Sequence, residues 1–400
     1  MTVTTTPVPE LSDDPYAPDT LADPHPFFTR LRAAGPAAWL PQYGVHAFGR
    51  DAEVREILED WRTFISGAGV GEINIHRVPP RRQPGILEVD PPVHTRMRDA
   101  MNAVINPREM RKLRAGFQEF ADELVTRVIE QGSFDAVTDF AQVYPIRVFA
   151  DAVGIPREGR EANLIAQGAA NFATFGPQNE VAQGHLRAGE GTYDWVLEAC
   201  RRENLDPAGM GAGIWREADA GNVPPEEATL LVRAMLSAGL DTTIIALGNT
   251  IRWLAAHPEQ YARVHENPRL MKFAIDEAFR FDSPFQSFYR TTSRDTVIGG
   301  VELPAETKVL LFLGSANRDE AKWGPDAHEF DIDRDASGHL TFGMGIHQCV
   351  GQPISRLEMD VLLTTFAKRV RRLEFTAEPQ PFIHTTLCGY ESLPVTVQAA

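Results

Sequence analysis

The chain has 400 residues, 43% of them hydrophobic, enough for a large core organised as one domain or two. Acidic residues outnumber basic ones 55 to 39, and the net charge of -16 argues against nucleic acid or an anionic membrane surface as the main partner. The three cysteines, Cys200, Cys349 and Cys388, are odd in number and far apart, which argues against a disulfide framework and for a reducing, cytoplasmic compartment.

In chain order, residues 1–22 are polar and proline-rich and predict an irregular arm without the basic and apolar regions of a secretion signal. No run of about 18 apolar residues marks a membrane span. Residues 39–48 read as strand, and 109–131 as an amphipathic helix. The stretch PPEEATLLVRAMLSAGLDTTIIALGNTIRWLAAHP starts with proline and acids, the signature of a first helical turn, and stops at His257-Pro258. A helix this apolar and about 50 Å long must cross the middle of the molecule. NPRLMKFAIDEAFRF predicts a further helix, residues 296–313 predict strands, GHLTFGMGIHQCVG a loop and QPISRLEMDVLLTTFAKRV a last long helix. No linker divides these pieces, so the expectation is one mainly α domain with a smaller β region.

Three motifs carry chemistry. In FGMGIHQCVG, Gly343, Gly345 and Gly351 permit positive φ and close approach of backbone to something flat or bulky. Cys349 lies where a helix begins, and unpaired N–H groups and the helix dipole there favour a thiolate. Such a thiolate suits an axial haem ligand, with His347 in reach of a propionate and Phe342 packed on the ligand side. A lone cysteine in a glycine-rich turn is more commonly buried and inert, so two further motifs decide. Glu277 and Arg280 are spaced to share one helical face, which by itself reads as an ordinary surface pair. SAGLDTT, residues 237–243, puts a glycine, an acid and two threonines midway along the apolar helix. These residues are costly against an apolar core and predict a local distortion, made either for a ligand or by a polar network.

Together and in this order, AGxDTT, ExxR and FGxGxHxCxG resemble the cytochrome P450 haem-thiolate monooxygenases, over nearly the whole chain. The resemblance implies a single triangular α-rich domain at 23–400 and haem b as cofactor. It implies Cys349 as the iron ligand, beside Phe342 and Gly343. His94 and Arg98 in DPPVHTRMR, Arg290 in FYRTTSRD and His347 would hold the propionates. Arg334, in NRDEAKWGPDAHEFDIDR, would complete a buried network with Glu277 and Arg280. Thr242 would donate toward O2 and Asp241 relay protons from solvent, retentions that speak against a haem-containing aromatic-ligand-binding protein without turnover. The chain is too short to carry flavin and iron–sulfur domains as well. Electrons from NAD(P)H are therefore expected through a reductase and an iron–sulfur ferredoxin docking near Cys349 on a monomeric protein.

Within that family the chain is most similar to soluble bacterial members that oxidise para-substituted benzoic acids, for example by O-demethylation. The matching stretches are RRQPGILEVDPP, NFATFGP, LLVRAMLSAGLDTT, SPFQSFYRTT and ESLPV. Phe172, Phe175 and Phe288 would form a flat slot, with Leu87 and Leu240 as apolar walls and Ala234 and Ala238 on the central helix. Arg81, with Arg82 beside it, and Ser237 match carboxylate anchors. Pro84 and Ala234 stand where that group has serines, and neither side chain donates a hydrogen bond. The expected reaction inserts one oxygen atom from O2 into a small aryl acid, and the alternative substrate is a neutral methoxyphenol or alkylphenol.

Overall fold

The structure is a computed structural model describing residues 8–78 and 84–400. The N-terminal stretch is less irregular than its composition suggests. Pro18–Ala22 forms a helical turn, Glu10 bridges to Trp39, and Tyr16 is buried with its hydroxyl 3.4 Å from that of Tyr289. An aromatic anchor overrides the polar, proline-rich context because burying a ring outweighs the entropy of ordering a few residues.

The larger sheet has five strands in the order Ala38–Leu40, Val45–Phe48, Lys308–Phe312, Ser287–Thr292 and Phe64–Ile65. The first pair is a hairpin, Val45–Phe48 runs parallel to Lys308–Phe312, and the remaining pairings are antiparallel. Arg290 sits opposite Val309, so the sheet delivers this arginine to the interior. A second sheet joins Ser133–Asp135, Pro394–Ala399 and Val370–Phe375.

Helices make up most of the rest. Pro107–Gln131 starts where the Asn106 side chain accepts from the backbone N–H groups of Arg108 and Glu109. It buries Phe117, Ala121, Leu124, Val125 and Val128, the recurrence that puts one apolar stripe against the core. The expected 33-residue helix is two, Pro225–Gly239 and Asp241–Ala256, interrupted at Leu240. By length and hydropathy this pair would suffice to cross a bilayer, contrary to the reading that no such run exists. Of its most apolar 18 residues 72% are buried inside the protein, which makes it a core element instead. A sequence count misses the run because Arg233 and Asp241 punctuate it. Gly239 has a packing reason: a Cβ there would lie 2.8 Å from the Phe149 ring.

Glu277 and Arg280, on Met271–Phe281, are fully buried rather than a surface pair. Arg280 gives Glu277 two hydrogen bonds of 2.6 and 2.7 Å and places its other donors on the carbonyls of Asn317, Ala327 and Glu329. Arg334 approaches Glu277 at 3.4 Å and bonds the Trp323 carbonyl and Asp326. The network ties this helix to the irregular segment leading into the cysteine loop.

Candidate active site

The cysteine loop runs into the helix Gln352–Arg369. The Cys349 N–H donates to the Phe342 carbonyl at 2.8 Å, and the N–H groups of Gly351 and Gln352 point at its sulfur. Burial pushes the thiol above its usual range, while these two donors and Arg98 pull it down. The helix start alone therefore does not make a thiolate, and a bound cation would. Gly343 and Gly345 have φ of +67° and +69°, but Gly351, at -78°, does not need a glycine's freedom. The positive φ of Gly345 serves the protein itself, since a Cβ would lie 2.6 Å from the Leu58 carbonyl oxygen. Gly343 is the one whose Cβ direction is open, its nearest atom 3.9 Å away. Phe342 packs on Phe279 with centroids 4.7 Å apart, under the Arg356 guanidinium.

Above the loop stands the interrupted helix. The Thr243 hydroxyl donates to that of Ser355 at 3.1 Å, tying the interruption to the helix that follows Cys349. Ala238 is exposed although Met235–Ser237 and Leu240 around it are buried, and Cys349 is exposed although burial dominates the shift of its thiol, so both border a space within the protein. Thr242 is half-buried and donates to the Ala238 carbonyl at 2.8 Å. Asp241 has a carboxylate oxygen that is buried and unpartnered, and burial raises its carboxyl to about 7. The carboxylate fits only because Gly168, on Arg160–Ala173, lacks a side chain: a Cβ there would lie 1.5 Å from that oxygen.

On one flank of this space the histidines and arginines expected around the propionates gather. The His94 and His347 rings are 4.3 Å apart, each buried with an Nε2 that has no hydrogen-bond partner. Burial, with His347 and Arg98 nearby, lowers His94 to about 4, and burial likewise lowers His347. Arg98 bonds the Gln348 carbonyl, and Arg290 is buried, which draws its guanidinium down to about 10. The Asp90 carboxylate, 3.9 Å from His347, is held by the N–H groups of Ser66 and Gly67. Two orphaned ring nitrogens and two guanidinium groups suit the carboxylates of a haem. An open glycine beside a sulfur with backbone donors suits its iron and its face. The residues present fit the group.

An aromatic cluster adjoins these groups, the Arg290 guanidinium lying 5.7 Å from the Phe288 ring. Phe172, Phe175 and Phe285 are buried with Val70, Ile245 and Leu387, and Leu87 and Phe288 pack against them. Ring centroids lie 4.1 Å apart for Phe285–Phe288 and 5.2 Å for Phe172–Phe285. Leu240 belongs instead to the main helical core, because the interruption turns it away from this cluster. Ser237 is buried with an unpartnered hydroxyl, and Ala234 is half-buried one turn earlier. Arg81 and Arg82 fall outside the described residues. Sequence reading missed Phe285, Gly168 and Arg233. Arg233 is buried beneath Tyr193, its guanidinium 5.6 Å from that ring, and a Cβ on Gly85 would lie 3.7 Å from its Nη2. A charge within an apolar helical run was its available signal.

The chain is similar to known proteins along its length. The Cytochrome P450 family model matches residues 216–390. Cytochrome p450 CYP199A2 of Rhodopseudomonas palustris is 43% identical over 395 residues, 98% of this chain and 95% of that protein. Vitamin D(3) 25-hydroxylase of Pseudonocardia autotrophica is 32% identical, covering 94% of each. Among solved structures, cytochrome P450 CREJ in complex with (4-ethylphenyl) dihydrogen phosphate superposes with a TM-score of 0.84 at 25% identity, over 96% of this chain and 99% of that one. CYP109Q5 from Chondromyces apiculatus has a TM-score of 0.81 at 29% identity, over 98% and 99%. Sequence identity on this scale, the shared fold and a site shaped for a thiolate-held haem agree: the chain belongs to the cytochrome P450 family of monooxygenases, which use haem b, O2 and electrons from external redox partners.

Proposed function

We propose that the protein oxidises a small para-substituted aryl acid, by hydroxylation or O-demethylation, in one monooxygenase unit at 23–400. The observation that carries this reading is the cluster of Phe172, Phe175, Phe285 and Phe288 beside the helix interruption. Tilted and edge-on rings offer flat apolar faces for a slot that suits an aryl ring better than a bulky aliphatic. The unpartnered Ser237 hydroxyl and the buried charge of Arg233, one helical turn apart, give the slot a polar end suited to an anion. A structural neighbour that binds an aryl phosphate supports the same substrate shape.

Cys349, with Phe342 and Gly343 in the same loop, would hold haem b, which would supply oxygen activation when bound. The chain's own part is positional. His94, Arg98, Arg290 and His347 would bind the propionates. The phenylalanines orient the substrate and keep water from it. Thr242 and Asp241 hold protons over the ligand space, Thr242 by turning its hydroxyl from the Ala238 carbonyl. A ferredoxin is proposed to dock beside the cysteine loop on a monomeric, cytoplasmic enzyme. Arg111, Arg114, Lys272 and Arg356 line one groove of about 540 Å³ there, in a chain of net charge -16.

A difference-spectrum screen tests the substrate reading. 4-Methoxybenzoate is expected to bind more tightly than 4-methoxybenzaldehyde. Ser237→Ala and Arg81→Ala should each cost the acid about 1.5–3 kcal/mol, roughly ten- to a hundredfold, and leave the aldehyde unchanged. Ala234→Ser should favour the acid further by adding a donor. Equal losses for both ligands would refute the anchor.

The proton relay has its own test. Asp241 raised to about 7 is a protonated donor below that pH and a carboxylate above it. Turnover should therefore fall as pH rises through about 7. Asp241→Asn should slow turnover on the order of a hundredfold and flatten that profile. Thr242→Ala should keep consuming NADH while diverting it to hydrogen peroxide. Wild-type rate and coupling in both variants would dismiss the assignment.

A further inference from the structure

Lys308 has no part in the mechanism above, yet its ammonium is spent on the backbone of one loop. It starts the strand Lys308–Phe312 opposite Thr291, and its Nζ reaches the carbonyl oxygens of Gly69 at 2.5 Å, Gly71 at 2.9 Å and Ala68 at 3.3 Å. Three N–H donors meet three acceptors, the full capacity of an ammonium. Burial draws it down to about 7, with the Glu88 carboxylate pulling the other way, and three acceptors hold it charged, because a neutral amine offers one donor fewer.

The loop so gripped carries Val70 into the aromatic cluster. Val70 is wholly buried among Phe172, Phe175 and Phe285. Its carbonyl accepts from the Tyr289 N–H at 2.9 Å, and Asp90 holds the loop's start through Ser66 and Gly67. Gly71 abuts the end of Arg160–Ala173, where a Cβ would lie 3.0 Å from the Phe175 Cα. Gly69 has a φ of +92° and would clash with the Ile73 carbonyl if it bore a Cβ. Three carbonyl dipoles converging on one point repel one another unless a cation sits between them.

We propose that Lys308 is a specificity-determining positioning residue: its ammonium acts as a built-in cation that gathers the carbonyls of residues 68, 69 and 71 and so presses Val70 against the substrate slot. The inference rests on the aromatic cluster being that slot. Without the ammonium the loop loosens, Val70 withdraws, and a slim para-substituted ring loses its wall.

The test measures binding of 4-methoxybenzoate to the haem-loaded enzyme below pH 7, with the carbonyl-bound Soret band as the check on haem insertion. Lys308→Met keeps the apolar stem, and Lys308→Ala leaves room for an added amine. Both should keep that band and bind the probe about tenfold more weakly or worse. Propylammonium should restore affinity to Lys308→Ala, whereas tetramethylammonium, a cation without N–H donors, should not. Adding Lys308→Met to Val70→Ala should cost little more than Val70→Ala alone, since the lysine acts through that side chain. Unchanged affinity, full additivity with Val70→Ala, no rescue by propylammonium, or loss of the haem band in both lysine variants would each overturn the proposal. Phe288→Ala separates the two readings: if it leaves binding unchanged, the slot itself is misplaced, whereas if it weakens binding while the lysine variants do not, only the role of Lys308 falls.

Discussion

Cys349→Ser protein is expected to lose the strongly red-shifted Soret band of the carbonyl-bound ferrous state and all monooxygenase turnover. The sulfur is the soft, electron-donating atom that the loop is built to present. It receives the N–H groups of Gly351 and Gln352, and the open side of Gly343 lies within the same turn. A serine hydroxyl keeps the shape but neither the softness nor the charge donation. Cys200 and Cys388 cannot substitute. Burial pushes both thiols well up, Cys200 to about 12, and neither lies in the loop. A Cys349→Ser protein that kept the band would remove Cys349 as the ligand. Repeating the spectrum on Cys200→Ser and Cys388→Ser, expected to match the wild type, completes the assignment.

The second large effect is on stability. Arg280→Met should destabilise the fold by about 3–5 kcal/mol, the cost of leaving one partner of a buried ion pair alone. Glu277 is fully buried and would keep a carboxylate with only the Asp331 N–H and the more distant Arg334 as partners. The carbonyls of Asn317, Ala327 and Glu329 would lose their donor as well. Against a total of roughly 5–15 kcal/mol for a folded domain, this is enough to leave little haem-loaded protein. Arg280→Lys should recover only part, because an ammonium has three donors where the guanidinium uses a planar fork of five. Denaturant unfolding with haem content read in parallel checks both variants. A loss below about 1 kcal/mol for Arg280→Met would mean that the network is ornamental to the fold.

Much of this architecture was legible without coordinates because it depends on near neighbours in the chain. Proline and acids at Pro225–Glu227 start a helix wherever it packs, and the apolar recurrence in 107–131 buries one face whatever lies opposite. The cost of Gly239, Asp241 and two threonines in an apolar run announced a distortion, and the helix breaks at Leu240. Cys349, with its loop glycines and the helix after it, is likewise a local pattern, as is the spacing of Glu277 and Arg280.

What the sequence by itself determined, then, was the family chemistry and the elements that carry it. What only the tertiary structure decided was which distant side chains meet. By their spacing alone Glu277 and Arg280 read as a surface pair, and it is the segment around Asn317–Glu329 that covers them. Gly345 serves the Leu58 carbonyl rather than a ligand, and Gly168 exists for a carboxylate 73 positions later in the chain, at Asp241. Leu240 joins the main core where the helix breaks, and Phe285 joins the aromatic cluster from the segment between Met271–Phe281 and Ser287–Thr292, a placement that no local pattern encodes. Lys308, at the edge of a strand, looks like any solvated lysine. Its meaning comes from three carbonyls some 240 residues earlier, and no local propensity encodes a contact of that sequence separation.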